Sequence, residues 1–209
     1  KLKAKICGLT RREDIAAANE LLPDYIGMVF YPKSKRAVSR EQAAALKAQL
    51  DKRIQAVGVF VNAELDFIAG LVHEGIIDVV QLHGDEDAEY IKALRAAVSV
   101  LVIKAIRVRD PESLANLAQY EVDYFLFDTY KAGMYGGTGE RFSFDLASGV
   151  EIPKPYFIAG GLDPDNVREV AAQYPAAYAV DVSGGVEDPS TGLKSYALIK
   201  KFLSQIKLS

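Results

Sequence analysis

Cysteine occurs once, at Cys7, and histidine twice, at His73 and His83. A single cysteine excludes an internal disulfide framework and any cysteine-cluster metal site, and two separated histidines argue against zinc. Long apolar runs are also missing. The longest, Ala176 to Val180, has five residues, against the roughly 20 that a spanning helix needs, so no membrane segment is expected. The opening residues, Lys1 to Leu9, lack the apolar core and small-residue cleavage site of a signal peptide. With the lone cysteine, this points to a reducing, cytoplasmic setting. There is no basic excess: the formal net charge is -3 and the pI about 5.5. A nucleic-acid surface needs a concentrated basic face, so no nucleic-acid partner is expected. No low-complexity stretch, charge block or Pro/Gly linker divides the chain. Its 209 residues, half apolar and a quarter charged, fit one globular domain spanning 1–209.

What is present is a repeat. A short β-rich run followed by a helical pattern recurs about eight times. The runs read as strands are Lys3–Cys7, Tyr25–Phe30, Ala56–Val61, Asp78–Leu82, Val100–Ile106, Tyr124–Asp128, Tyr156–Ala159 and Tyr178–Val182. They are rich in Val, Ile, Tyr and Phe and mostly lack apolar/polar alternation, as do strands buried on both faces of a parallel sheet. Thr10–Glu13 and Ser39–Gln42 have the form of a capping box. Asp110-Pro111 and Asp163-Pro164 place an N-cap acceptor before a proline. Ala43, Leu46 and Leu50 carry helical spacing. Alternating strands and helices predict parallel strands joined by right-handed crossovers. Eight units predict an α/β fold, a closed (β/α)₈ TIM barrel. An open doubly wound sheet is the second reading, weakened because no G-x-G-x-x-G follows the first strand.

In a barrel, chemistry sits at the C-terminal ends of the strands and in the loops after them. Gly160-Gly161 and Ser183-Gly184-Gly185 follow the seventh and eighth strands. Successive glycine amides can converge on an anion, and barrel phosphate sites recur there beside a short extra helix, to which Val186 and Glu187 can belong. Tight turns alone would also use these glycines. The last helix is expected over Lys194–Ile206, after Asp188-Pro-Ser-Thr-Gly192.

Four other strand ends carry candidates. Cys7 closes the first strand, either as a buried small hydrophobe or as a base or nucleophile. Asp128 follows four apolar residues, where burial would favour a proton donor near neutral pH; capping the next loop is the alternative. Arg36 can hold a carboxylate bidentately, or belong to a solvated basic loop with Lys33 and Lys35. His83 can line the site or satisfy backbone groups. Asp181, one position deeper in strand eight, is open to a structural role or a substrate contact. The stretch 130–142 holds Gly133, Gly136, Gly137 and Gly139. It is long beside the roughly 2–6 residues usual for such connections, and is a candidate lid.

Together these motifs resemble the phosphoribosylanthranilate isomerase family over essentially the whole chain. The resemblance rests on Lys5-Ile-Cys-Gly-Leu-Thr10, Pro32-Lys-Ser-Lys-Arg36, Gln81-Leu-His-Gly-Asp-Glu86, Asp128-Thr129, Gly136-Gly-Thr-Gly139, Ala159-Gly-Gly-Leu162 and Asp181-Val-Ser-Gly-Gly-Val-Glu187. It implies a (β/α)₈ barrel without metal or organic cofactor, and an Amadori rearrangement in tryptophan biosynthesis. It also implies Cys7 as general base and Asp128 as general acid. Arg36 matches the family's contact to the anthranilate carboxylate; His83 and Asp181, from their strand-end positions, are expected to bind substrate beside it. Gly160, Gly161, Ser183, Gly184 and Gly185 match its phosphate-binding turns. The implied partners are a small phosphosugar and other tryptophan-pathway enzymes. The chain departs from the family at Gly184, usually a serine, and at Ser195, usually an aspartate. A histidine-pathway sugar isomerase would place an aspartate where Cys7 stands. A silent phosphosugar-binding barrel would not require both Cys7 and Asp128, and a purely structural domain has no supporting motif.

Overall fold

The structure, a computed structural model, describes residues 1–129 and 151–207. Eight strands close in chain order: β1 (Lys3–Cys7), β2 (Tyr25–Val29), β3 (Gln55–Phe60), β4 (Val79–Leu82), β5 (Leu101–Arg107), β6 (Tyr124–Asp128), β7 (Tyr156–Ala159) and β8 (Ala179–Val182). Neighbours run parallel, and β1 pairs with both β2 and β8. The expected (β/α)₈ barrel is therefore the observed fold, and the open sheet is excluded. Three strands coincide with their expected bounds, three move by one residue at one end, and β3 and β5 move by one residue at both ends.

Six α-helices are described: α1 (Arg12–Leu21), α2 (Arg40–Gln49), α3 (Leu65–His73), α4 (Ala88–Ala97), α5 (Val167–Gln173) and α6 (Tyr196–Lys207). The Ser39–Gln42 box caps α2 as expected, with reciprocal bonds of 3.1 and 2.8 Å. At α1 the box shifts by one residue. The buried Asp14 carboxylate accepts the Thr10 and Arg11 amides, each at 3.0 Å, and binds the Arg11 guanidinium at 2.7 Å. Charge-assisted bonds of this kind outcompete a hydroxyl. Asp110-Pro111 opens only a short 3₁₀ turn, Pro111–Leu114, because Asn116 enters the left-handed region at φ 58°. Asp163 caps a turn ahead of α5 by accepting from the Asp165 and Asn166 amides. The last helix starts at Tyr196, later than expected, since Lys194 is used elsewhere. The stretch 130–142, read as a lid, lies outside the described residues.

Strand parity sorts the core into two layers. Cys7, Tyr25, Val57, Val59, Val79, Ile103, Ala105, Leu126, Phe157, Ala159 and Ala179 form one buried cluster drawn only from strands. The alternate strand positions, among them Ile6, Ile26, Phe60, Val80, Phe125, Phe127, Ile158 and Val180, pack with helix residues in the second. The first layer is the barrel interior, since successive side chains of a strand point to opposite faces. At the strands' N-terminal ends the interior is closed by aromatics. Tyr25, Tyr124, Tyr178 and Phe157 pack ring to ring, with centroids 5.0–6.4 Å apart. The hydroxyls of Tyr25 and Tyr178 lie 2.6 Å apart. Burial drives the Tyr25 hydroxyl pKa upward, and the bond to Tyr178 adds to it. Fully burying a ring such as that of Phe157 contributes about 1.5–3 kcal/mol.

Candidate active site

The same parity orients the strand-end residues. Cys7 and Lys5 lie on the inward face of β1, Asp128 follows Tyr124 and Leu126 on β6, and Asp181 follows Ala179 on β8. Gln81, and His83 beyond it, follow Val79 on β4. The strands' C-terminal mouth thus gathers a thiol, two carboxylates, an imidazole and an ammonium.

Cys7 is 9 % exposed. Its sulfur has room because Gly27, its register partner on β2, has no side chain: a Cβ there would lie 2.6 Å from Sγ. Sequence reasoning missed Gly27, whose only signal was a glycine inside a strand pattern, a mark of close approach. It also missed Lys5. This ammonium is fully buried and bonds Asp181 Oδ1 at 2.8 Å. Burial lowers its pKa, but Asp181 and the Cys7 sulfur more than offset that and leave it raised. Asp181 is therefore the counter-ion of a barrel-interior lysine. A buried charge that lacks such a partner is strongly destabilising.

Arg36 leaves the loop after β2 and crosses the end of β1. Its Cδ lies where a Gly8 Cβ would be, 2.4 Å from that position. Gly8 has φ +86°, where glycine is favoured. The guanidinium then grips Glu187, with Nε to Oε2 at 2.7 Å and Nη2 to Oε1 at 2.8 Å. Arg36 is thus an ion-paired residue and not part of a solvated basic loop. Lys194, also missed from sequence, bonds the same carboxylate at 2.8 Å and the Ser183 carbonyl at 3.0 Å. Burial tends to raise the Glu187 pKa, but Arg36 and Lys194 hold it down at about 2. Desolvation lowers the Lys194 pKa despite that partner. The Glu187 bond raises that of Arg36. Lys5, Arg36 and Lys194 each interact electrostatically with Cys7.

The glycine turns meet. Gly160 and Gly161 have φ of 99° and 67°. A Cβ on Gly185 would fall 1.9 Å from the Leu162 carbonyl oxygen, so the turn after β8 lies directly on the turn after β7. The short helix expected near Val186 is a 3₁₀ turn, Gly184–Val186. The Ser183 hydroxyl donates to the Cys7 carbonyl at 3.0 Å and joins the ends of β8 and β1. Across the mouth, His83 Nε2 lies 3.7 Å from Asp128 Oδ2, both side chains about a quarter exposed. Among the described residues no group of three or more His, Cys, Asp or Glu is placed to hold a metal ion. No described helix is long and apolar enough to cross a membrane.

Residues 4–205 match the family profile of N-(5'-phosphoribosyl)anthranilate isomerase. A curated relative of that name from Thermoanaerobacter pseudethanolicus is 44% identical over 206 residues, covering 99% of this chain and 98% of the relative. One from Geobacter sulfurreducens is 43% identical over 206 residues, covering 99% and 98%. The crystal structure of phosphoribosyl anthranilate isomerase from Thermotoga maritima superposes with a TM-score of 0.84 at 34% identity, covering 100% of both chains. A crystal structure of phosphoribosyl anthranilate isomerase in complex with reduced 1-(o-carboxyphenylamino)-1-deoxyribulose 5-phosphate gives 0.81 at 32% identity, again over 100% of both chains. Sequence and fold match over nearly the whole chain, and the protein belongs to the N-(5'-phosphoribosyl)anthranilate isomerase family.

Proposed function

We infer that the chain is the isomerase of tryptophan biosynthesis that converts N-(5-phosphoribosyl)anthranilate to 1-(2-carboxyphenylamino)-1-deoxyribulose 5-phosphate. The observation that carries the assignment of residues is the shared inward parity of Cys7 and Asp128 at strand ends of one barrel. Ring opening needs a proton on the ribose ring oxygen, and Asp128 supplies it. As the ring C–O bond breaks, the anilino nitrogen lone pair forms the iminium. That positive charge acidifies the hydrogen on the adjacent sugar carbon. Cys7 removes this hydrogen, the electron pair neutralises the nitrogen, and an enolamine forms. Tautomerisation, with loss of the hydroxyl proton and protonation of the neighbouring carbon, yields the ketone. A thiol and a carboxylic acid suit these two transfers.

The substrate's ends are held apart from the reacting atoms. Gly160, Gly161, Ser183, Gly184 and Gly185 cradle the phosphate, in line with the packing of the two turns. Arg36 takes the anthranilate carboxylate, while His83 and Asp181 line the sugar. Holding both ends orients the reaction without a cofactor. On this reading the chain acts as one catalytic domain in the cytoplasm, beside other enzymes of its pathway. Substrate made in situ gives the test. Loss of anthranilate fluorescence with the purified chain is expected, whereas binding without turnover would favour a silent barrel.

A further inference from the structure

The Arg36 guanidinium has two edges that can grip a carboxylate side by side. One is Nε with Nη2, the other Nη1 with Nη2. Glu187 occupies the first through both of its oxygens, at 2.7 and 2.8 Å. None of the hydrogen bonds that Arg36 makes among the described residues uses Nη1. The side chain remains 25% exposed, whereas Glu187 is only 8% exposed. Glu187 is held in turn by Lys194, whose side chain is 2% exposed and whose ammonium binds the Ser183 carbonyl. The stem of Arg36 is confined against Gly8, and the space beside Gly184 lies 3.5 Å from Nη2.

A long side chain from one loop is thus held at its stem, on one edge and through a buried cation, while its Nη1–Nη2 edge has no bond from Nη1 among the described residues. An arginine on a loop otherwise samples many rotamers, and ordering it costs about 2 kcal/mol. Here that ordering is complete before any ligand arrives.

We propose that Glu187 is a specificity-determining positioning residue: by filling one edge of Arg36 it presents the other to the substrate carboxylate, so that the chain selects arylamines bearing that group. The proposal deepens the reading in which Arg36 holds the anthranilate carboxylate, and it rests on that reading. Glu187 also links this subsite to the turn at Ser183. A substrate anchored by its phosphate therefore meets the guanidinium at a set distance.

The test compares turnover of N-(5-phosphoribosyl)anthranilate with that of its aniline counterpart, which lacks only the carboxylate, with product measured by chromatography. The wild type should prefer the anthranilate, and Arg36→Met should abolish the preference. Glu187→Gln should cut the preference by at least about tenfold, the scale of a misplaced binding group. Turnover of the aniline substrate should fall by less than turnover of the anthranilate, by that same factor. Glu187→Gln leaves Lys194 buried without its counter-ion, so the double variant Glu187→Gln, Lys194→Met, which removes both charges, serves as a second arm with the same expected loss of preference. A merely structural role would lower both substrates together, and that result overturns the proposal, as does a preserved preference in both Glu187 variants. A wild type without preference, or an Arg36→Met that keeps it, overturns the carboxylate reading of Arg36 itself and the proposal with it.

Discussion

His83 Nε2 faces Asp128 Oδ2 at 3.7 Å while its other ring nitrogen, Nδ1, lies 3.1 Å from Gln81 Nε2. A Gln81 amide nitrogen can donate to Nδ1, which leaves Nε2 turned toward Asp128. The imidazole just past β4 and the carboxylate at the end of β6 thus lie side by side at the mouth.

Asp128→Asn and Cys7→Ser should each lower kcat at least about 10²-fold, the scale for losing an acid or base. His83→Asn should cost less, roughly tenfold, because the imidazole neighbours the acid and does not replace it. Steady-state kinetics on refolded, circular-dichroism-matched proteins decide this. Full activity in Cys7→Ser would remove Cys7 from its proposed role.

Gly27→Ala tests the space around the sulfur. The added methyl would meet Sγ at 2.6 Å, with Cys7 Cα and Cβ at 3.2 and 3.3 Å behind it. Strand and thiol must shift, and a drop in kcat/KM of about 10²-fold follows from misplacing a reacting group. An alanine variant as fast as wild type would show that the sulfur position is not critical.

Lys5 and Asp181 form an ion pair inside the barrel, at 0% and 13% side-chain exposure. Lys5→Met leaves the carboxylate without its counter-ion and should lower stability by about 3–5 kcal/mol. Lys5→Met combined with Asp181→Leu should recover most of it. Urea titration of the three variants measures both, and an additive double variant would contradict the pairing.

The acid limb of stability should contain a contribution from Glu187. Its pKa is about 2 in the folded chain against 4.5 for the unperturbed group. A depressed carboxylate stabilises fully above its unfolded value, and that stability is lost as pH falls from 4.5 through about 2. Glu187→Gln should flatten the unfolding free energy over that interval, as followed by denaturation at a series of pH values. An unchanged slope would mean that the ion pairs of Glu187 contribute nothing to folding.

Tyr178→Phe removes a partner of the Tyr25 hydroxyl, 2.6 Å away at the end of the barrel opposite the site. Losing that bond should cost about 0.5–1.5 kcal/mol, because Tyr124 remains a partner for the Tyr25 hydroxyl. Turnover should not change, since the aromatic plug lies at the strands' N-terminal ends. A loss of activity without loss of stability would contradict this separation of roles.

The sequence by itself determined the barrel, the order of its strands and the chain positions of Cys7, Arg36, Asp128 and the glycine turns. Strand runs and turn glycines are local patterns, and a repeated local pattern admits few global closures. What only the tertiary structure decided is which charges meet. Arg36 and Glu187 are 151 residues apart in the chain, and Lys5 and Asp181 are 176 apart. Composition and spacing leave Arg36 in a basic loop, Asp181 without a partner and Lys194 at the start of a helix. Barrel closure joins β8 to β1, and the inward face there is too dry to leave a charge unpaired. The pairs that result follow from register and burial, which no single stretch of the chain contains.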